Sequence, residues 1–292
     1  MYRRLIIFGL AALLTIGLFL GFNRWRVDAA RASAIDRPRS LSMLGQRSAD
    51  EPAPAPAIEP YVRPAFARQM QMLRPVILEA AKRHNRPELS GMSDYDFAMV
   101  IALVLYNENF GSLEDRVPSL RPLTPYYQDA QIGLNELGGV DLSIWPSNLR
   151  PSVALEILRR QVPVPSPTSV ITEPIVVTGS RVNPNEYTSQ DELYAALTRE
   201  IADPHLSIEY LAANLERGLY RARFERVPVT WRTLAAWHNQ GIVAPRDISA
   251  NPTASDYLRR TSAYLATARA LVARSDCSIV HCKFTQRSIG PS

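Results

Sequence analysis

The sequence has few of the side chains that build metal centres. Its 292 residues hold two cysteines, Cys277 and Cys282, and four histidines. His281 sits beside Cys282, but two thiols and one imidazole fall a ligand short of a tetrahedral zinc site. No metal and no cofactor is therefore expected. Two readings of the cysteines stay open. A Cys277–Cys282 disulfide would close a small loop, contribute about 2 kcal/mol in chain entropy and need an oxidising compartment such as a periplasm. Otherwise they are two unrelated thiols. His84 and His205 fall at a helix end and a helix start and are expected at the surface.

A surplus of positive charge is missing where nucleic acid would need it. The chain has 33 Lys+Arg against 28 Asp+Glu, a net +5. Residues 1–40 account for all of it, with seven arginines (Arg3, Arg4, Arg24, Arg26, Arg31, Arg37, Arg39) and two acids (Asp28, Asp36). Removing those leaves 26 of each sign over the other 252 residues, so the folded part has no net charge to attract phosphate. Disorder is excluded by composition, with 46% hydrophobic and 21% charged residues. No internal repeat at fixed period is present either.

The N-terminus is built for a membrane. Residues 5–22 form an uncharged apolar run of 18 residues, about 27 Å as a helix and close to the thickness of a bilayer core. Arg3 and Arg4 precede it, and Trp25 stands at its far end, where interfacial aromatics gather. An uncleaved anchor at residues 1–22 places the chain in an inner membrane, single pass, with a periplasmic domain. The alternative is a signal peptide cleaved near Ala32-Ser33-Ala34, which releases the protein to the periplasm. Residues 23–65 read as a Pro/Ala-rich tether, in polyproline II geometry around Pro52–Pro60. A helical domain follows at residues 66–276, then a tail at 277–292.

Within that domain the apolar spacing predicts helices at 66–84, with Pro75 marking a kink or break, and after the cap Ser93-Asp94. Others are expected at 151–160, at 190–201 behind a Ser189 capping box, and after Asp203-Pro204. The last two fall at 230–238, ended by Gly241, and at 252–274. Residues 161–188 break the pattern with five prolines and two β-prone runs, Ser169-Val-Ile-Thr and Ile175-Val-Val-Thr. They read as an inserted loop or hairpin. The fold class is mainly α with a short β-prone insert.

Glu108 is the residue that breaks the rules of burial. It shares a helical face with Phe97, Ile101 and Val104, at the end of the helix and flanked by Asn107, Asn109 and Gly111. Apolar neighbours disfavour its charge, and so does the negative end of the helix dipole. A carboxylic acid held neutral in this way is what a general acid for a glycosidic oxygen requires. The plainer alternative is an exposed Glu paired with Arg116 or Arg121.

Three segments, in order, give the chain a family likeness. The first is Ile101-Ala-Leu-Val-Leu-Tyr106-Asn-Glu108-Asn-Phe. The second is Asp141-Leu-Ser143-Ile-Trp145-Pro-Ser-Asn148-Leu-Arg-Pro. The third is Asp203-Pro-His-Leu-Ser-Ile208 with Trp231-Arg-Thr-Leu-Ala-Ala-Trp237-His238-Asn239-Gln-Gly241. The set resembles the lysozyme-like superfamily, and within it the soluble lytic transglycosylase type of peptidoglycan-cleaving domain. The resemblance implies a lysozyme-like helical fold, a peptidoglycan glycan strand as partner, and Glu108 as catalytic acid and base. It implies that Ser143, Trp145, Asn148, Trp237, His238, Asn239 and Tyr106 line the substrate. Asn239 would hold an N-acetyl group, Ser143 would orient Glu108, and Trp145, Trp237 and Tyr106 would stack on sugar faces. The chain departs from the family where Asn109 replaces the serine after the acid, Trp145 and Asn148 stand for the Gly and Gln of the middle motif, and His238 replaces a tyrosine. Glu114, Asp115 and Asp141 are the candidates for a second carboxylate.

Overall fold

Side-chain caps and prolines punctuate this chain, and they set where its helices begin. A computed structural model describes residues 60–273, apart from 111–113, 116 and 166–167. Helix α1 (Pro64–His84) opens on a proline and runs unbroken through Pro75, and a short α2 (Pro87–Ser90) follows. Helix α3 (Asp94–Glu108) starts in a full capping box, the Ser93 hydroxyl accepting from the Asp96 amide and the Asp96 carboxylate from the Ser93 amide. After a 3-10 turn at Pro118–Leu123 come α4 (Thr124–Gly138) and α5 (Pro151–Leu158). Strands β1 (Gln161–Pro163) and β2 (Val170–Thr172) pair antiparallel, with Val162 opposite Ile171. Then come α6 (Gln190–Ala202), α7 (Pro204–Glu225), α8 (Trp231–Gln240), α9 (Pro245–Ser249), α10 (Pro252–Ala263) and α11 (Leu265–Ala273).

The protein is mainly helical, as the sequence indicates. The insert does contain a hairpin, but Ile175-Val-Val-Thr is not one of its strands. Ile175 and Val177 bury while Val176 faces solvent, so the run packs without a partner. The single helix expected at 252–274 is two, separated at Tyr264. Helix α4 was not expected at all. No helix among the described residues is long and apolar enough to cross a membrane. The apolar run at 5–22, the tether to residue 59, and Cys277 and Cys282 lie outside the described residues.

Two apolar clusters share one helix. The first joins α1, α3, α7, α8, α10 and α11 through Met70, Ile77, Phe97, Ile101, Leu215 and Leu271. The second joins α5, α6 and the hairpin to α7 through Ile157, Val162, Leu197 and Tyr210. Every residue of α7 from Ser207 to Ala222 is buried, because it lies between the two. Helix α3 is likewise buried almost all round, from Phe97 to Glu108, rather than on the one face its spacing suggested. A helix apolar on all sides belongs in the interior.

A charge network crosses this interior. His84, expected at the surface, is 2% exposed. Its Nδ1 lies 2.8 Å from Glu216 Oε2 and its Nε2 3.1 Å from Glu209 Oε1. Arg83 grips Glu209 with two nitrogens, and Arg86 Nη2 sits 2.6 Å from Glu216 Oε1 in an ion-pair contact. Nothing local in the sequence marks Glu209 and Glu216 as buried. Only the packing of α1 on α7 shows that each has a cationic partner.

Candidate functional site

Glu108 ends α3 where the two clusters meet. It is 9% exposed, neither open to water nor fully enclosed. Tyr257, on α10, donates its hydroxyl to Oε1 at 2.6 Å, and Asn148 donates Nδ2 to Oε2 at 2.6 Å. His238 Nε2 lies 3.7 Å from Oε1. No Arg or Lys among the described residues lies in ion-pair range of this carboxylate. Arg121 stacks instead over the rings of Tyr61 and Phe110, at 4.5 and 5.3 Å. Arg116 lies outside the described residues.

The loop that supplies Asn148 is built rigidly. Asp141 accepts from the Ser152 amide and hydroxyl, and Asn135 bonds both backbone groups of Leu142. The Ile144 amide donates to Leu149, closing the turn. The buried Ser147 hydroxyl accepts from Ser207 of α7 at 2.8 Å. Asn148 itself is left-handed, with φ of 51°, a conformation its short polar side chain tolerates better than most. The turn therefore presents one amide to Glu108 from a fixed frame.

Burial shifts the neighbours of Glu108 in opposite senses. Desolvation pushes the Tyr257 phenol well above its ordinary value, and the Glu108 charge adds to this; the phenol stays a neutral donor. Desolvation lowers the His238 pKa, against the opposing pull of Glu108 and a hydrogen bond to the Ser147 backbone. The imidazole is therefore neutral near pH 7.

Of the residues singled out in the sequence, Asn148 and His238 gather at Glu108. Tyr257 was missed; it lies in the stripe of the last long helical segment, and a phenol there reads as core. Tyr106 is 2% exposed, set between Phe66 and Tyr264. Trp237 is 1% exposed, donates Nε1 to the Val243 carbonyl and packs over Gly218. Neither ring has a face open to a sugar. Trp145 is half-buried against Phe66 and Arg63, and its buried Nε1 has no acceptor among the described residues. Asn239 accepts from Gln240, whose own amide oxygen is held by Asn251. Ser143 makes no hydrogen bond to Glu108.

The three candidates for a second carboxylate have other work. Asp141 staples the start of α5. Glu114 is buried on the hydroxyls of Thr124 and Tyr127. Asp115 faces Arg259 at 3.7 Å. No cluster of His, Cys, Asp and Glu suited to a metal occurs among the described residues. A groove of about 550 Å³ opens elsewhere, between Gly179, Tyr187, Arg199 and Leu206. The carboxylate at its base, Glu200, is saturated by the Ser180 and Tyr210 hydroxyls and the amides of Arg181 and Val182.

No protein-family model matches the chain, and no curated protein or solved structure is similar to it.

Proposed function

We propose that this chain is a membrane-anchored, peptidoglycan-cleaving glycosidase of lytic transglycosylase or lysozyme type, with Glu108 as its one acid and base. The observation that carries the reading is the setting of Glu108. A carboxyl group at the end of a buried helix has one neutral donor on each oxygen, from two distant parts of the chain, and no Arg or Lys partner among the described residues. Glu114 and Asp141 also have neutral donors only, but from residues 10 to 13 positions away in the chain, and the buried carboxylates of α6 and α7 differ more. Glu209 and Glu216 are paired with cations, while Glu200 accepts four hydrogen bonds.

In the reaction, Glu108 gives its proton to the glycosidic oxygen as the C1–O bond breaks. The cation-like muramyl carbon is then attacked by its own 6-hydroxyl, whose proton passes to Glu108, and an anhydro sugar results. If water attacks instead, the product has a reducing end and the reaction is that of a lysozyme. Either course returns Glu108 to its starting state. The want of a second free carboxylate among Glu114, Asp115 and Asp141 favours the intramolecular course, which needs only one. The apolar run at 5–22 and the tether would hold the domain at the periplasmic face of an inner membrane.

A second reading keeps the fold and drops the chemistry: an envelope module that binds glycan or a partner protein. The burial of Tyr106 and Trp237 favours it, since it removes two of the three expected sugar platforms. Loss of turbidity of purified cell walls separates the two. The first reading expects the full-length protein to clear them and Glu108→Gln to be inert; an inert wild type supports the second.

A further inference from the structure

Next to Glu108 the structure gathers hydrogen-bond donors and few acceptors. Asn109 and Phe110 follow Glu108 in the chain, and Trp145 belongs to the turn that supplies Asn148. Two guanidinium groups lie over the Phe110 ring, Arg63 at 5.5 Å from its centroid and Arg121 at 5.3 Å. Arg63 also lies over the Trp145 ring at 5.9 Å, and Arg121 over the Tyr61 ring at 4.5 Å. Tyr61 stacks on Phe110 at 5.4 Å and is 45% exposed, so the cluster reaches solvent.

The polar groups of this cluster are one-sided. Arg63 Nε donates to Asn109 Oδ1 at 3.0 Å, and Arg121 Nε to the Glu114 carbonyl at 3.3 Å. The terminal nitrogens of both arginines have no acceptor among the described residues. Asn109 Nδ2 and Trp145 Nε1, on two neighbours of Arg63, are buried and have none either. No carboxylate among the described residues is in ion-pair range of either guanidinium. Glu114 is taken by the Thr124 and Tyr127 hydroxyls, and Asp115 faces Arg259 at 3.7 Å. Burial holds the Arg63 pKa below its ordinary value, against the weaker pull of Tyr61 and Glu114. Two cations share one ring, and the unpaired N–H dipoles beside them add to the same positive potential. An anion entering this place relieves both.

We infer that Arg63 and Arg121 form an anion subsite next to Glu108, which takes a carboxylate of the peptide carried by the sugar strand. The inference rests on the reading that Glu108 acts on peptidoglycan. The N-acetylated sugars of that polymer are neutral, and its carboxylates belong to the peptides attached at the muramyl lactyl groups. A planar guanidinium matches a carboxylate with paired N–H···O bonds, which a lysine does not. The rings of Tyr61, Phe110 and Trp145 hold the two guanidinium groups by their faces, so little side-chain freedom is lost when the ligand arrives. The site therefore reads the peptide as well as the sugar, and it prefers muramyl residues that carry a peptide to bare glycan.

A soluble probe separates this binding from cleavage. N-acetylglucosaminyl-N-acetylmuramyl tetrapeptide lacks the muramyl-to-glucosaminyl bond that the reaction breaks, so its binding to the full-length protein in detergent can be followed by calorimetry. The inference expects it to bind about tenfold or more tightly than the same disaccharide without peptide. The advantage should shrink as salt is raised and vanish when the peptide carboxylates are amidated. Replacing both arginines, Arg63→Gln with Arg121→Gln, should bring the affinity for the tetrapeptide probe down to that of the bare disaccharide. Equal binding of the two probes to the wild type, or binding of neither, overturns the inference. So does an advantage that survives amidation or the double substitution. The comparison of probes needs only the wild type, so it decides the matter even where the double variant does not fold. A peptide-dependent affinity in a protein that leaves walls intact keeps the subsite and removes the glycosidase reading.

Discussion

At the scale of single residues, the hydroxyl of Tyr257 is the most exposed to test. It is buried, neutral and committed to Glu108 Oε1 at 2.6 Å. Tyr257→Phe keeps the ring against Arg260 and removes only the donor. The buried oxygen left without it should cost about 1–3 kcal/mol of stability, measurable by urea unfolding, and wall cleavage should fall in parallel. His84 makes the opposite demand on pH. Burial alone would lower its pKa, but the hydrogen bonds its ring donates to Glu209 and Glu216 outweigh this and raise it above the usual 6.5. Burial likewise works against ionised Glu209, yet His84 and Arg83 bring it from 4.5 down to about 2. A raised histidine stabilises fully below 6.5 and loses its contribution as pH climbs through the folded value. A depressed glutamate stabilises above 4.5 and loses its contribution as pH falls towards 2. The network is therefore strongest between these two limits. His84→Gln should cost about 3–5 kcal/mol there, as breaking a buried pair does, and the gap to wild type should narrow by pH 9. Denaturation of both proteins at pH 5.5 and pH 9 checks the sign.

At the scale of elements, local chemistry was readable where a cap declared itself, although the box expected at Ser189 is a simple cap on the Asp191 amide, without the reciprocal bond to Glu192. Ser93, Ser189, Asp203 and Thr230 each start a helix, and each accepts a hydrogen bond from a backbone amide of the first turn. Helix α4 escaped because it has almost no buried stripe; only Thr124 and Asn135 are buried in it, so its polar and apolar residues show no period. The 252–274 segment read as one helix because the side chains on both sides of Tyr264 continue a single apolar stripe. The site itself was legible in part. Glu108 stands out as an acid on an apolar face, but its donors come from a turn 40 residues away and a helix 149 residues away, separations no local pattern spans. Close approach of α7 to α8 depends on Gly218, where an added Cβ would lie 2.9 Å from Leu234 Cδ2 and 3.4 Å from the Trp237 ring. Gly218→Val should cost about 1–3 kcal/mol by overpacking, visible as a lower urea midpoint at unchanged slope. A neutral result would mean that the contact between the two helices is looser than these distances state.

At the scale of the whole molecule, charge and hydrophobicity are segregated along the chain. The net +5 resides in residues 1–40, beside the apolar run, and the remainder balances. On the proposed anchoring, this puts the basic segment beside the bilayer and leaves the rest of the chain without net charge. Inside the domain, α7 joins two clusters, and the candidate site lies where they meet rather than within either. A site in that position draws its parts from both: Glu108, His238 and Tyr257 from one side, Asn148 from a turn anchored in the other. Placing reactive groups on separate rigid supports lets each be fixed without strain in its neighbour.

The central claim is that Glu108 moves a proton to and from a sugar oxygen, and mass spectrometry of fragments released from purified peptidoglycan addresses it most directly. The full-length protein should release muropeptides with anhydro ends, or with reducing ends if water takes the place of the 6-hydroxyl, and Glu108→Gln should release none. Walls left intact by the wild type, or cut equally well by the variant, would contradict the account.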